Sequence, residues 1–356
     1  MEVGDDPRQE HDRRQEQPSN PSSHSYALEQ PSLTGQTART PSEPEDDSPV
    51  TSEAPSTWEE EIGAPVYGEL APPGRMRRDL EIEPLSPSAT LLTTSQPQRP
   101  AEAYLLDAWY ATFGHPGLTA RLQRPGLAEM LFSVPEPSDL RVAITDTTAY
   151  PWRCVCGLII TAADGSQWLG TGWLAGPCLV VTAGHCVYMP FRGGWVVEVE
   201  VIPGWNGNAR PFESAIAQSF RSVRGWVHKL SLAHNYGAIV LPVDRRYGER
   251  LGSLGFMRPA YRDLRERALN LAGYPCDKPR GTLWYQARRL EMGTERTLEY
   301  PITTAGGESG APIWLLRNGE RYVIGMQTGG DAAGSAAVRL NEAVFANLSL
   351  WKSESS

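Results

Sequence analysis

The sequence predicts an all-β domain over residues 137–356 that ends in one helix and is preceded by a long disordered segment. From Arg141 onward, short runs of β-branched, aliphatic and aromatic residues alternate with Gly, Pro and Asp. This pattern is typical of an all-β sandwich or barrel pair. The first 100 residues hold 15 of the 30 prolines and three of the 31 aromatic residues. Residues 1–100 therefore bury too little apolar surface to offset the entropy of ordering them.

The charge of the chain lies mainly in this first segment. Residues 1–100 contain 19 acidic and 8 basic side chains, so the remaining 256 residues carry about +2 of the total of −9. We therefore expect no nucleic-acid partner and no membrane partner. Residues 1–9 lack the basic start and apolar run of a secretory signal, and no run of 18 apolar residues is present. The chain as written is therefore cytoplasmic on this pattern alone, and its location stays open.

Residues 101–136 form a separate segment between the acidic part and the β domain. Their pattern includes a predicted short amphipathic helix over residues 104–113. We interpret the segment as propeptide-like or docking, and a docked extension without a regulatory role is the alternative.

The predicted elements of the β domain follow in order. Strands are predicted at residues 155–161, 179–182, 195–202, 238–241, 269–272, 284–290, 312–316 and 322–327. A helix is predicted at residues 341–351, where apolar residues recur at helical spacing.

The five cysteines are Cys154, Cys156, Cys178, Cys186 and Cys276. They show no paired metal-ligand spacing, so we predict no metal site and no cofactor. Their pairing stays open, and the simplest interpretation is that they are small buried apolar residues.

Two motifs contain the residue types of a nucleophile and its base. His185 lies in TAGHC at residues 182–186, behind the apolar run Leu179–Val181, and Ser309 lies in GGESGAP at residues 306–312. A hydroxyl needs an imidazole to accept its proton during attack, so we predict Ser309 as the nucleophile and His185 as the general base. A plain turn serine is the alternative for Ser309.

Seven motifs in order resemble the chymotrypsin-like serine peptidases, and within them the glutamyl endopeptidases. They are RVAITDTTAYPW at 141–152, GTGWL at 170–174, TAGHCV at 182–187, NYGAIVLP at 235–242, AGYPCDKPRGTLW at 272–284, YPITTAGGESGAPIW at 300–314 and VIGMQTGG at 323–330. The resemblance implies two perpendicular six-stranded antiparallel β-barrels. It also implies that the N–H groups of Gly307 and Ser309 form an oxyanion hole.

The third catalytic position departs from the family. The resemblance implies an aspartate there, and this chain has Asn235, 50 residues after His185 and 74 before Ser309. Aspartate fixes the imidazole tautomer and stabilises the imidazolium, whereas asparagine orients the ring without adding charge. In a peptidase of this fold, the aspartate-to-asparagine change lowers kcat by about 10⁴-fold.

The resemblance also implies residues for substrate choice and processing. Thr303 stands where a preference for Lys or Arg requires a carboxylate, so we expect no basic preference at the cleaved residue. Thr304, Gln327 and Gly329 match the pocket, with Gln327 where acid-cutting relatives have histidine, which predicts a preference for acidic or polar residues. A processing site is predicted between Ser133 and Val134.

Two classes of function follow from these residues. The first is a monomeric serine endopeptidase that acts on protein or peptide substrates and is made as a zymogen. The second is a catalytically attenuated pseudoprotease that binds peptides or partner proteins, because Asn235 replaces the aspartate. The intact motifs around His185 and Ser309 favour the first.

Overall fold

The computed structural model describes residues 44–51, 68–69, 106–107, 139–265, 267–290, 292–300, 306–331 and 334–356. Residues Glu43–Ser356 form one compact unit, which contains all of the described residues.

β-Strands are the main secondary structure of the described residues and form two large sheets, as the sequence predicts. The first sheet contains β1 (Pro49–Thr51), β2 (Leu106–Asp107), β4 (Val155–Thr161), β5 (Gln167–Leu174), β6 (Leu179–Thr182), β9 (Glu198–Pro203), β10 (Ala215–Ala217), β11 (Ser219–Val223) and β12 (Gly237–Val240). Its strand order is β1-β11-β12-β6-β5-β4-β9-β10, and β2 pairs in parallel with β5.

The second sheet is built from the C-terminal half of the domain and one earlier strand. It contains β3 (Val142–Ile144), β13 (Gly255–Phe256), β14 (Ala268–Gly273), β15 (Leu283–Arg289), β16 (Met292–Gly293), β17 (Thr297–Tyr300), β18 (Pro312–Arg317), β19 (Glu320–Asp331) and β20 (Gly334–Arg339). Its order is β16-β17-β20-β19-β18-β14-β15-β3, and β13 pairs in parallel with β19. A separate two-stranded ribbon pairs β7 (Tyr188–Met189) with β8 (Gly194–Trp195).

The helices are few and short except at the C-terminal end. The α-helices in the described residues are α1 (Arg224–Val227), α2 (Tyr247–Arg250), α3 (Tyr261–Leu264) and α4 (Glu342–Glu354). Single 3₁₀ turns cover Pro44–Asp47, Trp152–Cys154, Gly184–Cys186, Pro190–Arg192 and Leu232–His234. The predicted C-terminal helix is confirmed as α4, which begins after Asn341, whose side chain accepts a hydrogen bond from the Val344 N–H at 3.0 Å.

The all-β prediction is confirmed, but each sheet has nine strands in the described residues rather than six. Short strands account for the difference, including β1 and β2, which come from the part of the chain before the predicted domain. The helix predicted over residues 104–113 is wrong at Leu106–Asp107, which pair with Trp168 and Leu169. Pairing with an existing strand overrides the local helical periodicity there. The rest of that segment lies outside the described residues.

Aromatic side chains join the two sheets in a shared core. Trp152 precedes β4 of the first sheet, and its ring lies edge-on to Tyr285 and Trp314 of the second sheet at centroid distances of 5.4 Å and 6.2 Å. All three rings are buried. Because this packing fixes one sheet against the other, loops from both sheets hold constant positions at the junction between them.

The cysteines form no disulfide. Four of them are buried, and Cys276 is half-buried. Burial raises the pKa of the Cys154 thiol to about 12, as expected for a small apolar core residue rather than a reactive thiol.

Candidate active site

His185 lies in the 3₁₀ turn that follows the buried strand β6. The turn passes close to Trp226, and a Cβ on Gly184 would lie 2.8 Å from that indole and 3.0 Å from Asn235 Oδ1. Only glycine fits at position 184 without moving its neighbours. The His185 ring is fully buried and lies edge-on to the Trp226 ring, with centroids 6.2 Å apart.

Asn235 is brought beside His185 by the pairing of β12 with β6. In this register Gly237 faces Thr182, so the residues just before β12 lie against the turn after β6. Asn235 Oδ1 lies 3.0 Å from the His185 backbone N and 3.1 Å from His185 Nδ1. Because the backbone N–H only donates, the atom that faces it is the amide oxygen, and that oxygen accepts from Nδ1–H as well. The proton of the neutral ring is therefore on Nδ1, which leaves the lone pair on Nε2.

The electrostatics of the pair follow from burial and from the missing charge. Burial lowers the pKa of the His185 imidazole to about 4, although the hydrogen bond to Asn235 raises it. An aspartate at position 235 would oppose this shift with a full negative charge. His185 is thus neutral at pH 7, which is the protonation state that a general base requires.

The turn that contains Ser309 belongs to the second sheet and makes hydrogen bonds with residues of the first. The Thr171 N–H donates to the Ser309 carbonyl oxygen at 2.8 Å, and Thr171 Oγ1 donates to the Gly307 carbonyl oxygen at 2.7 Å. The Cys186 thiol lies 3.6 Å from the same Ser309 carbonyl oxygen. Since Cys186 directly follows His185, the backbone of Ser309 lies next to the turn that contains His185.

Two glycines allow this turn to approach the first sheet closely. Gly307 and Gly310 have φ angles of 95° and 89°, in the left-handed region that favours glycine. A Cβ on Gly310 would lie 2.1 Å from Thr182 Oγ1 and 2.2 Å from the Thr171 carbonyl oxygen. The close approach therefore requires glycine at position 310 for both conformational and steric reasons.

Hydrogen bonds also fix the two peptide units that carry the predicted oxyanion-hole donors. The Gly306 carbonyl accepts from the Cys276 N–H at 2.6 Å, and the Glu308 carbonyl accepts from the Ala311 N–H at 2.9 Å. In a trans peptide the C=O and the following N–H point in opposite directions. The N–H groups of Gly307 and Ser309 are therefore directed away from Cys276 and Ala311 respectively.

Strand β19 lines the turn on its other side. The Gln327 carbonyl accepts from the Gly310 N–H at 2.7 Å, and the Gln327 N–H donates to the Ala311 carbonyl at 2.9 Å. The buried Gln327 side chain donates from Nε2 to the Gly329 carbonyl at 2.9 Å. A bulge in the pairing with β20 lies between Gln327 and Gly329, and such bulges redirect side chains next to active sites. Thr303, Thr304, Ser133 and Val134 lie outside the described residues.

Three further residues position the site, and the sequence did not predict this role for them: Thr171, Cys186 and Cys276. Each acts through a contact with a carbonyl of the turn at 306–309. They lie in the motifs GTGWL, TAGHCV and AGYPCDKPRGTLW, which the sequence analysis had identified. A contact with a backbone carbonyl 30 or more positions away leaves no residue-type signal, so the motifs marked the segments and not the individual roles.

Two sheets sharing one core, with a histidine and a serine turn at their junction, define the class of chymotrypsin-like serine peptidases. Comparison with known proteins agrees. The chain is 32% identical over 223 residues to the glutamyl endopeptidase of Bacillus licheniformis, covering 60% of this chain and 68% of that protein. The chain belongs to the glutamyl endopeptidase family of serine peptidases.

Further comparisons concern the fold and a second relative. The solved structure of a Glu endopeptidase in complex with MPD matches with a TM-score of 0.54 at 22% identity, over 61% of this chain and 98% of that chain. The extracellular metalloprotease of Bacillus subtilis is 31% identical over 219 residues, which are 61% of this chain and 69% of that protein. No family model matches the chain.

The described residues were also compared with the requirements of a metal site and of a membrane-spanning helix. Among these residues, no group of three or more His, Cys, Asp or Glu side chains has an arrangement that could hold a metal ion. In the part of the chain that the structure describes, no helix has the length and apolar character needed to cross a bilayer.

Proposed function

We propose that the chain hydrolyses peptide bonds through an acyl-enzyme, with Ser309 as nucleophile, His185 as general base and Asn235 as the residue that orients the imidazole. One observation carries the proposal. Asn235 Oδ1 accepts from both the backbone N–H and Nδ1 of His185, at 3.0 and 3.1 Å, which leaves the Nε2 lone pair as the base of the ring.

The reaction follows from this arrangement. Ser309 Oγ attacks the peptide carbonyl while its proton passes to His185 Nε2, and a tetrahedral intermediate forms. The N–H groups of Gly307 and Ser309 stabilise its oxyanion, a contribution of about 3 kcal/mol per donor in related enzymes. The proton on Nε2 then passes to the leaving amine, and the acyl-enzyme remains. In the second half of the reaction His185 accepts a proton from a water molecule that attacks the acyl-enzyme, and the proton returns to Ser309 Oγ as the acid product leaves.

Asn235 limits the rate of this sequence. When His185 accepts the serine proton it becomes a buried cation, and burial already lowers its pKa to about 4. Asparagine supplies no compensating charge, so the imidazolium is less stable than in an enzyme with aspartate. This observation favours a second candidate, an attenuated protease homologue that uses the same cleft to bind peptides or partner proteins.

We further propose that the cleaved residue is acidic or polar. Gln327 supports this because its carbonyl accepts from the Gly310 N–H and its N–H donates to the Ala311 carbonyl. These two bonds hold it next to Ser309. A glutamine amide offers a hydrogen-bond donor without positive charge, and Thr304 and Gly329 complete the proposed pocket. Digestion of a mixed peptide library, with the termini of the products sequenced, gives the preference. Cleavage mainly after Lys or Arg would contradict it.

We also propose that the chain is made as a zymogen processed between Ser133 and Val134. The change in composition near that position supports the proposal. Amino-terminal sequencing of the active form is the test, and an active form that begins at Met1 would exclude it.

The experiment that tests the main proposal is covalent labelling of the full chain with a fluorophosphonate probe. We expect labelling of the wild type that is lost in Ser309→Ala. As a matched control, Ser166→Ala changes a serine in an exposed turn, where its Oγ contacts Asp164, and labelling should persist. A folded wild-type chain that binds peptides but takes up no probe would support the attenuated homologue instead.

A further inference from the structure

Residues 44–51, which we call the N-terminal strap, add a strand to the edge of the first sheet. Pro49–Thr51 pair antiparallel with Arg221–Val223 of β11. The Arg224 N–H donates to the Ser48 carbonyl at 3.0 Å, which continues the pairing beyond the strand. This segment lies more than 80 residues before the predicted start of the domain, yet it packs on the same sheet as the Asn235 loop.

Asp47 is the centre of the contacts that the strap makes. Its carboxylate accepts two hydrogen bonds from the Arg296 guanidinium, at 3.1 Å and 2.7 Å, and one from the Tyr236 hydroxyl at 3.2 Å. Its backbone carbonyl accepts from Asn347 Nδ2 of α4 at 2.8 Å. The Asp47 side chain is only 11% exposed. One residue of the strap is thus bonded to the Asn235 loop, to the β16–β17 turn and to the C-terminal helix.

Both chain neighbours of Asn235 take part in this cluster. Tyr236 donates to Asp47, and its hydroxyl also accepts from Asn347 Nδ2 at 2.8 Å. His234 Nε2 lies 3.2 Å from Arg296 Nη1 and 3.6 Å from Asp47 Oδ1. Since residues 234 and 236 are both held, the backbone of Asn235 between them is fixed in the position from which Oδ1 reaches His185.

The charge of Asp47 is retained in the folded protein. Burial alone would raise the pKa of this carboxyl. The contacts with His234 and Arg296 lower the pKa by a larger amount, so the net pKa is well below the usual range. The paired charges match the fork geometry of arginine with a carboxylate, which also fixes the angle between the two groups.

We propose that Asp47 is a positioning residue for the reaction at Ser309, because it fixes the His234–Asn235–Tyr236 loop and through it the orientation of His185. This inference rests on the proposed function. The strap then belongs to the working enzyme and stays bound to it after a cut between Ser133 and Val134, since its described contacts fall on β11, on residues 224–236, on Arg296 and on α4, behind the Asn235 loop.

The test is the second-order rate of fluorophosphonate labelling of the full chain at pH 7. We expect Asp47→Asn, which keeps the shape and removes the charge, to slow labelling by about 10- to 100-fold, the range that small misplacements of catalytic groups produce. The matched control is Asp164→Asn, which removes a carboxylate bonded to Arg192 at 3.2 Å on the surface, and its rate should stay within about twofold of the wild type.

A double-mutant cycle separates positioning from general stability. If Asp47 acts through Asn235, then Asp47→Asn should have little further effect in the Asn235→Ala background. An equal slowing in both backgrounds, or a wild-type rate for Asp47→Asn, would overturn the inference. Should Asp47→Asn fail to fold by circular dichroism, Arg296→Lys, which keeps the charge and loses the fork, replaces it in the same cycle.

The outcomes also distinguish this inference from the proposed function. If the wild type labels neither as the full chain nor after cleavage between Ser133 and Val134 with the fragment still present, the proposed function fails, and the positioning role fails with it. If the wild type labels at Ser309 and the Asp47 variants label equally fast, only the present inference fails.

Discussion

A single amide oxygen determines how His185 is held. Asn235 Oδ1 accepts two hydrogen bonds, from the backbone and from the ring of His185, whereas the buried Asn235 Nδ2 makes none with the described residues. A carboxylate at this position would keep both bonds and replace the NH₂ group by an oxygen of nearly the same size. The site can therefore hold an aspartate at position 235 without a change of shape, and the difference between the two side chains is the negative charge.

We expect Asn235→Asp to raise kcat, by up to about 10⁴-fold, the loss that the opposite change causes in a peptidase of this fold. The negative charge stabilises the imidazolium, so the pKa of His185 should also rise from about 4. The pH dependence of kcat/KM with a peptide substrate checks both effects. Its acidic midpoint should lie near 4 in the wild type and move to higher pH in the variant.

The control for this change is Asn206→Asp, at a half-buried asparagine whose side chain donates to the Thr145 carbonyl. It adds the same charge away from the site and should leave the midpoint unchanged. An unaltered kcat in Asn235→Asp would mean that another group already stabilises the imidazolium.

The residue types of the site could be predicted from the sequence because their chemistry is specific. His185, Ser309 and the exceptional Asn235 were identified from motif and order. Asp47 could not be predicted, since it lies in an acidic, proline-rich segment where one carboxylate resembles the next. Its importance depends on Arg296 and Tyr236, which only the folded chain brings to it.

At the level of elements, the turn at residues 306–311 is where the two sheets meet in the site. Its shape depends on Gly310, which has no room for a side chain. We expect Gly310→Ala to lower the free energy of unfolding by more than about 3 kcal/mol, because a Cβ would overlap the backbone of Thr171 and Ala183. Labelling of Ser309 should fall with it, and urea unfolding together with the probe measures both.

Gly165→Ala is the matched control for this substitution. Gly165 has a similar φ angle of 80°, but its Cβ position has no atom within 4 Å. The change should cost only about 1–2 kcal/mol of conformational strain and leave labelling intact. If the two variants were equally stable, the close approach at Gly310 would not explain its identity.

The strands that the sequence predicted best are those with continuous apolar runs. The predicted strands at 155–161 and 179–182 match β4 and β6 at both ends. Strand β5 was missed because glycines interrupt it, yet those glycines let neighbouring strands approach, since a Cβ on Gly172 would lie 2.7 Å from Val180 Cγ1. Strand β11 was missed because its sequence SFRSV is largely polar. Tertiary pairing determines both strands, and local propensity does not record it.

At the scale of the whole molecule, the buried neutral His185 couples stability to pH. Its pKa is about 4 in the folded chain and about 6.5 when unfolded. Below pH 6.5 the unfolded chain binds a proton at His185 that the folded chain does not. The free energy of unfolding is therefore unaffected by this group above pH 6.5 and decreases as the pH falls toward 4. Between pH 7 and pH 5 the loss should be roughly 2 kcal/mol.

Urea unfolding of the wild type and of His185→Gln at the two pH values checks this expectation. The glutamine variant has no group that titrates at position 185, so its stability should depend less on pH by the amount above. Equal pH dependence of the two proteins would show that the His185 ring has the same pKa in the folded and unfolded chains.

The pairing of β1 with β11 has a consequence for any maturation that separates the strap from the rest of the chain. Departure of β1 would leave the amide and carbonyl groups of Arg221–Val223 without their β1 partners, and a bare sheet margin is a template for pairing with an incoming extended peptide. Cleavage near Val134 followed by loss of the strap would thus create a second peptide-receptive surface at the edge of β11. A released enzyme would be expected to self-associate in proportion to its concentration unless the excised fragment stayed bound in that place.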